Sequence, residues 1–225
     1  MSETHFVVNK SPSEWGKERD VCHGIVTDTP WKRNHIRIGE INVIGRNLWR
    51  ASDPLWANEV VYYNTSHKSL FNTLDRIVVH HTNNSDSISE NEKKQKSRGY
   101  AALGYHFFIR KQGDVYEGRP IEIMGSHAGQ GIKSGPLNDP DWGAIGIVLQ
   151  GDYHHSDDWI YSDDTPEKQF ATLKKLICAL RSKYNIHKLL MHKEVIRSGK
   201  ATVCPGDHLA KQVKALRSRL KMTGP

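Results

Sequence analysis

The sequence predicts an α/β fold: a central, mostly mixed β-sheet flanked by helices. Two short β-branched runs, RIVVHHT (76–82) and AIGIVLQGD (144–152), read as buried strands. YHFFIRKQGDVYEGRP (105–120) reads as two strands joined by a hairpin turn at Lys111–Asp114. Helical stretches are interleaved with these strands, and that alternation favours a sheet covered by helices.

Taken in order, residues 1–40 are polar and without a clear period, and are expected to form an arm on a domain spanning 41–225. INVIGRNLWRAS (41–52) contains a short strand followed by a tryptophan-bearing turn, while DPLWANEVVYYNTSHKSLFNTL (53–74) has no decisive pattern. NSDSISENEKKQKSRGY (84–100) predicts a short polar helix opened by a Ser or Asp cap. Thr165-Pro166-Glu167 opens a long helix running to about Tyr184, with proline at its first turn. KLLMHKEV (188–195) is a short strand or its end. CPGDHL (204–209) leads into a last amphipathic helix, with Leu209, Val213, Leu216 and Leu220 on one stripe. There is no internal repeat.

A length of 225 residues with 37% hydrophobic and 25% charged residues suits one folded domain rather than a disordered chain. No apolar run approaches the ~20 residues of a membrane helix, so no membrane insertion is expected. The opening MSETHFVVNKSPSEW lacks a basic region followed by an apolar one. The expectation is synthesis in the cytoplasm without a Sec signal peptide, followed by release or delivery by another route. The net charge of +7 favours polyanionic surroundings or simply solubility. No RRM, KH or zinc-finger pattern accompanies it, so no nucleic-acid partner is expected. Three cysteines, Cys22, Cys178 and Cys204, form no disulfide framework.

Chemistry concentrates on His80, at the end of a buried strand, His192, after Leu189-Leu190-Met191, and Cys204, before Pro205-Gly206. Two imidazoles and a thiolate suit zinc, and three protein ligands leave a fourth position open. Their spacing alone does not separate this reading from structural histidines, since neither CxxC nor HExxH occurs.

Five segments carry a resemblance in the right order: RIVVHHT, LGYHFFIRKQGDVYEGRP, GSHAGQ, WGAIGIVLQGD and LLMHKEV…TVCPGDHL. Together they resemble the zinc amidases that include T7-type lysozyme amidases and animal peptidoglycan recognition proteins. The resemblance spans about Ile41 to Leu209 and leaves the first 40 residues outside it. It implies that fold, a Zn²⁺ cofactor held by His80, His192 and Cys204, and hydrolysis of the amide between N-acetylmuramic acid and L-alanine. It also implies catalytic roles for Tyr105, in GYHF, and for Thr202, where T7-type enzymes carry lysine and catalytic recognition proteins threonine. A cytoplasmic recycling amidase would carry aspartate at Cys204 and glutamate at Val148, and this chain departs from it at both. His127 and Trp142 are candidates to line the substrate cleft, together with Asn138, while His81 and His106 read as structural. The expected lack of a signal peptide fits a phage endolysin, or an antibacterial toxin effector whose producer is guarded by an immunity protein as partner. The alternative is a non-catalytic peptidoglycan-binding module of the same fold. Relatives of that kind commonly lack the cysteine, which is present here.

Overall fold

The computed structural model describes residues 4–6, 22, 25–56, 58, 60–129, 139–154, 164–196 and 201–225. In chain order the strands are β1 (Thr4–Phe6), β2 (Ile25–Thr27), β3 (His35–Ile38), β4 (Ile41–Ile44), β5 (Arg76–His81), β6 (Phe107–Ile109), β7 (Val115–Glu117), β8 (Ala144–Leu149) and β9 (Lys188–Met191). The helices are α1 (Leu70–Thr73), α2 (Ile88–Ser97), α3 (Glu167–Lys183), α4 (His192–Val195) and α5 (Asp207–Arg219). β1 and β2 pair by themselves, and the other strands form a seven-stranded sheet in the order β3-β4-β7-β6-β8-β5-β9. β5 runs parallel to β8 and to β9, and β6 runs parallel to β8. β6–β7 and β3–β4 are antiparallel, which makes the sheet mixed, as expected. The edge strand β3 begins at His35, so the last residues of the first forty belong to the sheet.

β5 and β8 are continuous apolar runs because both of their faces are covered. On one face, Ile77, Val79, Ile145, Ile147 and Leu149 pack into a core with Leu173, Leu176, Ile177 and Leu180 of α3 and with Leu209, Val213 and Leu216 of α5. Each fully buried aliphatic side chain of this kind contributes about 1.5–3 kcal/mol. On the other face, Val78 meets Ala144 and Leu190, and Val148 meets Ile88, Leu103 and Phe108. The period-2 alternation of β5 therefore directs His80 to the second face and His81 to the helix-covered one. There His81 Nδ1 accepts the Tyr153 amide at 3.2 Å.

The helix ends follow local chemistry. Ser87 caps α2: its hydroxyl accepts the Glu90 amide at 3.3 Å, and the Glu90 carboxylate accepts the Ser87 amide at 2.7 Å. Pro166 stands at the N-cap of α3, one position before the expected first turn. Gly206, with φ 86°, is the N-cap of α5. A side chain is strained at that φ, and a Cβ there would collide with the Tyr153 backbone.

An ion pair that sequence inspection does not suggest joins the segment before β5 to the rest. Arg46 is fully buried and donates to Glu92 Oε1 at 2.9 Å and to the Ser52 carbonyl at 2.9 Å. Its guanidinium lies 5.0 Å from the Trp31 ring and 5.2 Å from the Trp49 ring. Removing one member of a buried pair strands the other charge. Glu92→Ala is therefore expected to lower stability by about 3–5 kcal/mol, read as a lower urea midpoint.

Candidate metal centre

β5 and β9 are parallel neighbours, with Val79 opposite Met191. The next residue after each is a histidine, the last-but-one of β5 and the first of α4, so His80 and His192 lie side by side at the same end of the sheet. Their ring centroids are 4.6 Å apart. Cys204 arrives from the loop before α5. The Lys193 amide donates to the Cys204 carbonyl at 3.0 Å, and the Cys204 amide donates to Thr202 Oγ1 at 3.3 Å. Cys204 Sγ lies 3.7 Å from His80 Nδ1. The three potential ligand atoms all lie within 4.8 Å of one another, and among the described residues this is the group of His, Cys, Asp or Glu side chains that could hold a metal ion.

The residues fit a zinc ion in kind and spacing. With zinc bonds of about 2.0–2.3 Å, tetrahedral geometry sets neighbouring donors about 3.3–3.6 Å apart, close to the sulfur–nitrogen separation here. Burial, reinforced by His127, holds His80 well below the usual histidine range and His192 at about 4. Both rings are therefore neutral near pH 7, the form that ligates a metal. Burial pushes the Cys204 thiol up to about 12, against the pull of the His81 amide and Lys193. Without a cation the sulfur keeps its proton; a bound cation favours the thiolate.

Tyr105, just before β6, has its ring centroid 5.0 Å from that of His80. Burial first, and the neighbouring Cys204 second, raise its hydroxyl well above the usual tyrosine range. Tyr105 and Thr202 thus stand beside the cysteine and histidines named from the sequence.

His127 and Trp142, the residues expected at the substrate cleft, are both buried. Trp142 is buried and packs edge-on against Tyr63, with centroids 4.9 Å apart, because its strand-entry turn directs it into the main core. His127 has a fully buried side chain behind His80, its Nδ1 lying 3.0 Å from His80 Nε2. Asn138 lies outside the described residues.

Sequence reasoning missed Asp141, in the run DPDW. Its Oδ2 accepts the amides of His127 at 3.1 Å and Gly129 at 2.7 Å, and its Oδ1 accepts that of Ala128 at 2.9 Å. Nδ1 of His127 is also 3.0 Å from Oδ1. Burial acts to raise the carboxyl of Asp141, but His127 and these amides outweigh it and hold the group well below the usual carboxylate range. Gly146 of β8 completes the packing: a Cβ there would overlap the His127 ring. A glycine in an otherwise aliphatic strand was the available signal for such a close approach.

The profile of a family described as N-acetylmuramoyl-L-alanine amidase matches residues 70–207. Peptidoglycan recognition protein 1 of Rattus norvegicus is 31% identical over 159 residues, covering 63% of this chain and 74% of that protein. Among solved structures, the N-acetylmuramoyl-L-alanine amidase LysC from Clostridium intestinale URNW matches with a TM-score of 0.53 at 31% identity, covering 67% of this chain and 87% of that one. A mutant of Drosophila PGRP-LB in complex with tracheal cytotoxin matches with a TM-score of 0.55, covering 76% of this chain and 91% of that one. At 24% identity that likeness shows the fold alone.

Behind the site, His106 uses both ring nitrogens in its neutral form. Nδ1 accepts the Gly146 amide at 3.0 Å and Nε2 donates to the Ile123 carbonyl at 2.9 Å. Protonation would aim a second N–H at the Gly146 N–H, and burial lowers the pKa to about 3 from 6.5. Between these values the unfolded chain binds a proton that the folded chain does not. This contribution is complete above the unfolded value and is lost as pH falls through the window. The urea midpoint of metal-free protein is expected to drop from about pH 7 to about pH 4, and to drop less steeply in His106→Gln.

Proposed function

The chain belongs to the N-acetylmuramoyl-L-alanine amidase family, and we propose that it is a zinc-dependent hydrolase of the amide bond between N-acetylmuramic acid and L-alanine in peptidoglycan. The observation that carries the reading is the convergence of His80, His192 and Cys204, with ligand atoms within 4.8 Å of one another and Tyr105 alongside. Zinc bound by these side chains would supply Lewis-acid polarisation of the scissile carbonyl and activation of water near neutral pH.

The remaining work falls to this chain's own groups. Cleaving an amide builds negative charge on the carbonyl oxygen, and a donor preorganised at that point is worth about 2.7–4 kcal/mol. The Tyr105 hydroxyl, whose pKa is raised by burial, stays protonated near pH 7 and can donate there. Thr202 accepts the Cys204 amide through Oγ1, which orients its own O–H as a second donor. A peptidoglycan partner is supported by the similarity to a protein named for peptidoglycan recognition, and the lytic reading by the named activity of LysC.

A second reading, a non-catalytic peptidoglycan-binding module, is favoured by the similarity to a protein named for recognition. Hydrolysis of purified sacculi, with metal content measured in parallel, separates the two. Wild type is expected to release new L-alanine amino termini, and Cys204→Ala to lose both zinc and that release. Zinc-loaded wild type that binds sacculi yet frees nothing establishes the binding module instead. Tyr105→Phe is expected to keep its zinc and lose about 10²–10³-fold in kcat; unchanged turnover excludes the tyrosine from the chemistry.

A further inference from the structure

α3 and α5 lie side by side on the face of the sheet opposite His80. Their apolar stripes enter one core together with Val79, whereas His80, the next residue of β5, alternates to the other face. The two helices run in the same direction. Asp164, just before α3, pairs with His208 in the first turn of α5 at 3.3 Å, and Arg181 in the last turn of α3 donates to the Leu220 carbonyl after α5 at 2.9 Å. Their outer sides therefore form one surface.

That surface is strongly basic. Residues 167–183 and 207–221 hold ten Lys or Arg and two acidic residues, a net charge of +8, against +7 for the whole chain. Lys174, Lys175 and Lys183 of α3 and Lys211, Lys214 and Arg219 of α5 are exposed. The two acids, Glu167 and Asp207, stand in the first turns. Asp207 is turned to His154 at 3.3 Å and to Lys193 at 3.5 Å. The helix dipole accounts for basic residues in a last turn, such as Lys183 and Arg219, but not for Lys174, Lys175, Lys211 and Lys214 further in. Lys211 and Lys214, three residues apart on one helix side, repel rather than pair. The cluster thus costs the fold stability, and a ligand gives it a purpose.

Charge of one sign concentrated on one side attracts a polyanion, and the texture of the surface selects the kind. Among the described residues the exposed large hydrophobics are Leu48, Leu55, Phe71 and Val203, none of them on α3 or α5. The surface has no apolar anchor to enter a lipid interior and no exposed aromatic ring on which unpaired bases could stack. Two helices abreast are about 20 Å across, wider than a DNA major groove of about 12 Å. What fits is a broad array of phosphates met through charge alone, as at the headgroup level of an anionic bilayer. We propose that the outer surface of α3 and α5 docks on an anionic lipid bilayer, without insertion, which turns the metal centre away from the membrane. That this orientation directs the centre at the cell wall rests on the amidase reading above; the docking itself does not.

The test sediments full-length protein with vesicles of phosphatidylcholine, with or without an equal part of phosphatidylglycerol, at low and at high NaCl. Lys174→Gln/Lys175→Gln/Lys214→Gln is compared with Arg37→Gln/Arg50→Gln/Lys93→Gln, which removes the same charge from exposed positions outside the two helices. Wild type is expected to bind the anionic vesicles alone and to be released by salt. Three basic residues near an anionic surface are together worth about 100-fold in affinity. The helix variant is expected to lose that factor and the control variant to stay within a few-fold of wild type. Both are expected to melt and to cleave sacculi as wild type does. Wild type that ignores anionic vesicles, or binds both kinds alike, overturns the proposal. A control variant weakened as much as the helix variant also overturns it, because net charge alone then accounts for the binding. Tighter binding to a short DNA duplex than to vesicles at equal phosphate concentration does the same. Vesicle binding by a wild type that cleaves no sacculi supports the docking and overturns the amidase reading alone; cleavage without vesicle binding does the reverse.

Discussion

The parallel pairing of β5 with β9 sets Val79 opposite Met191, and that register brings His80, the next residue of β5, beside His192, the first residue after β9. The rest of the site is arranged around this juxtaposition. A shift of one residue in either strand would turn His80 or His192 to the opposite face of the sheet. The shift is resisted because Ile77 and Val79 are locked into the core on one face and Val78 into the cluster on the other. The cysteine loop then docks onto the pair through the Lys193 amide and stops at Gly206, whose left-handed conformation starts α5. The buried stripe of α5, Leu209, Val213 and Leu216, anchors the loop from behind. Hydrophobic packing therefore does the positioning, and the polar atoms of the site are carried into place by it.

Behind the convergence lies a second layer that is polar and wholly internal. His106, His127 and Asp141 are buried between the sheet and the turns around them, and their hydrogen bonds are nearly all satisfied. Gly146 links the two layers. Its amide is received by His106, and its missing side chain makes room for His127. One glycine in β8 thus serves both rings. A buried polar group that is well partnered rigidifies its surroundings, whereas one left unpartnered costs stability. This layer gives the open side of the site a stiff backing.

The segment before β5 is fastened by a different device. Arg46 reaches Glu92 of α2, the Ser52 carbonyl and the Gly118 carbonyl after β7, with tryptophan rings at its sides. One side chain ties together elements that are distant in sequence. Among the described residues, β3 and β4 extend the sheet beyond β7, so this segment is part of the architecture rather than a loose addition.

The sequence by itself determined the central strands and the three longer helices, and it supplied the candidate residues of the site. RIVVHHT and AIGIVLQGD form β5 and β8, the capping box at Ser87 starts α2, and the stripe on the last helix is buried. These follow from periodicity and capping, which are local properties of the chain. His80, His192, Cys204, Tyr105 and Thr202 could be named because their residue types sit in recognisable motifs. Only the tertiary structure decided the neighbours. Strand order and register are set by non-local hydrogen bonds, so the meeting of His80 with His192 is absent from any local pattern. Burial depends equally on what packs against a residue. The burial of His127 and Trp142 could not be read from their local sequence, and Asp141 and Arg46, ordinary charges in the sequence, are buried with partners on other segments of the chain.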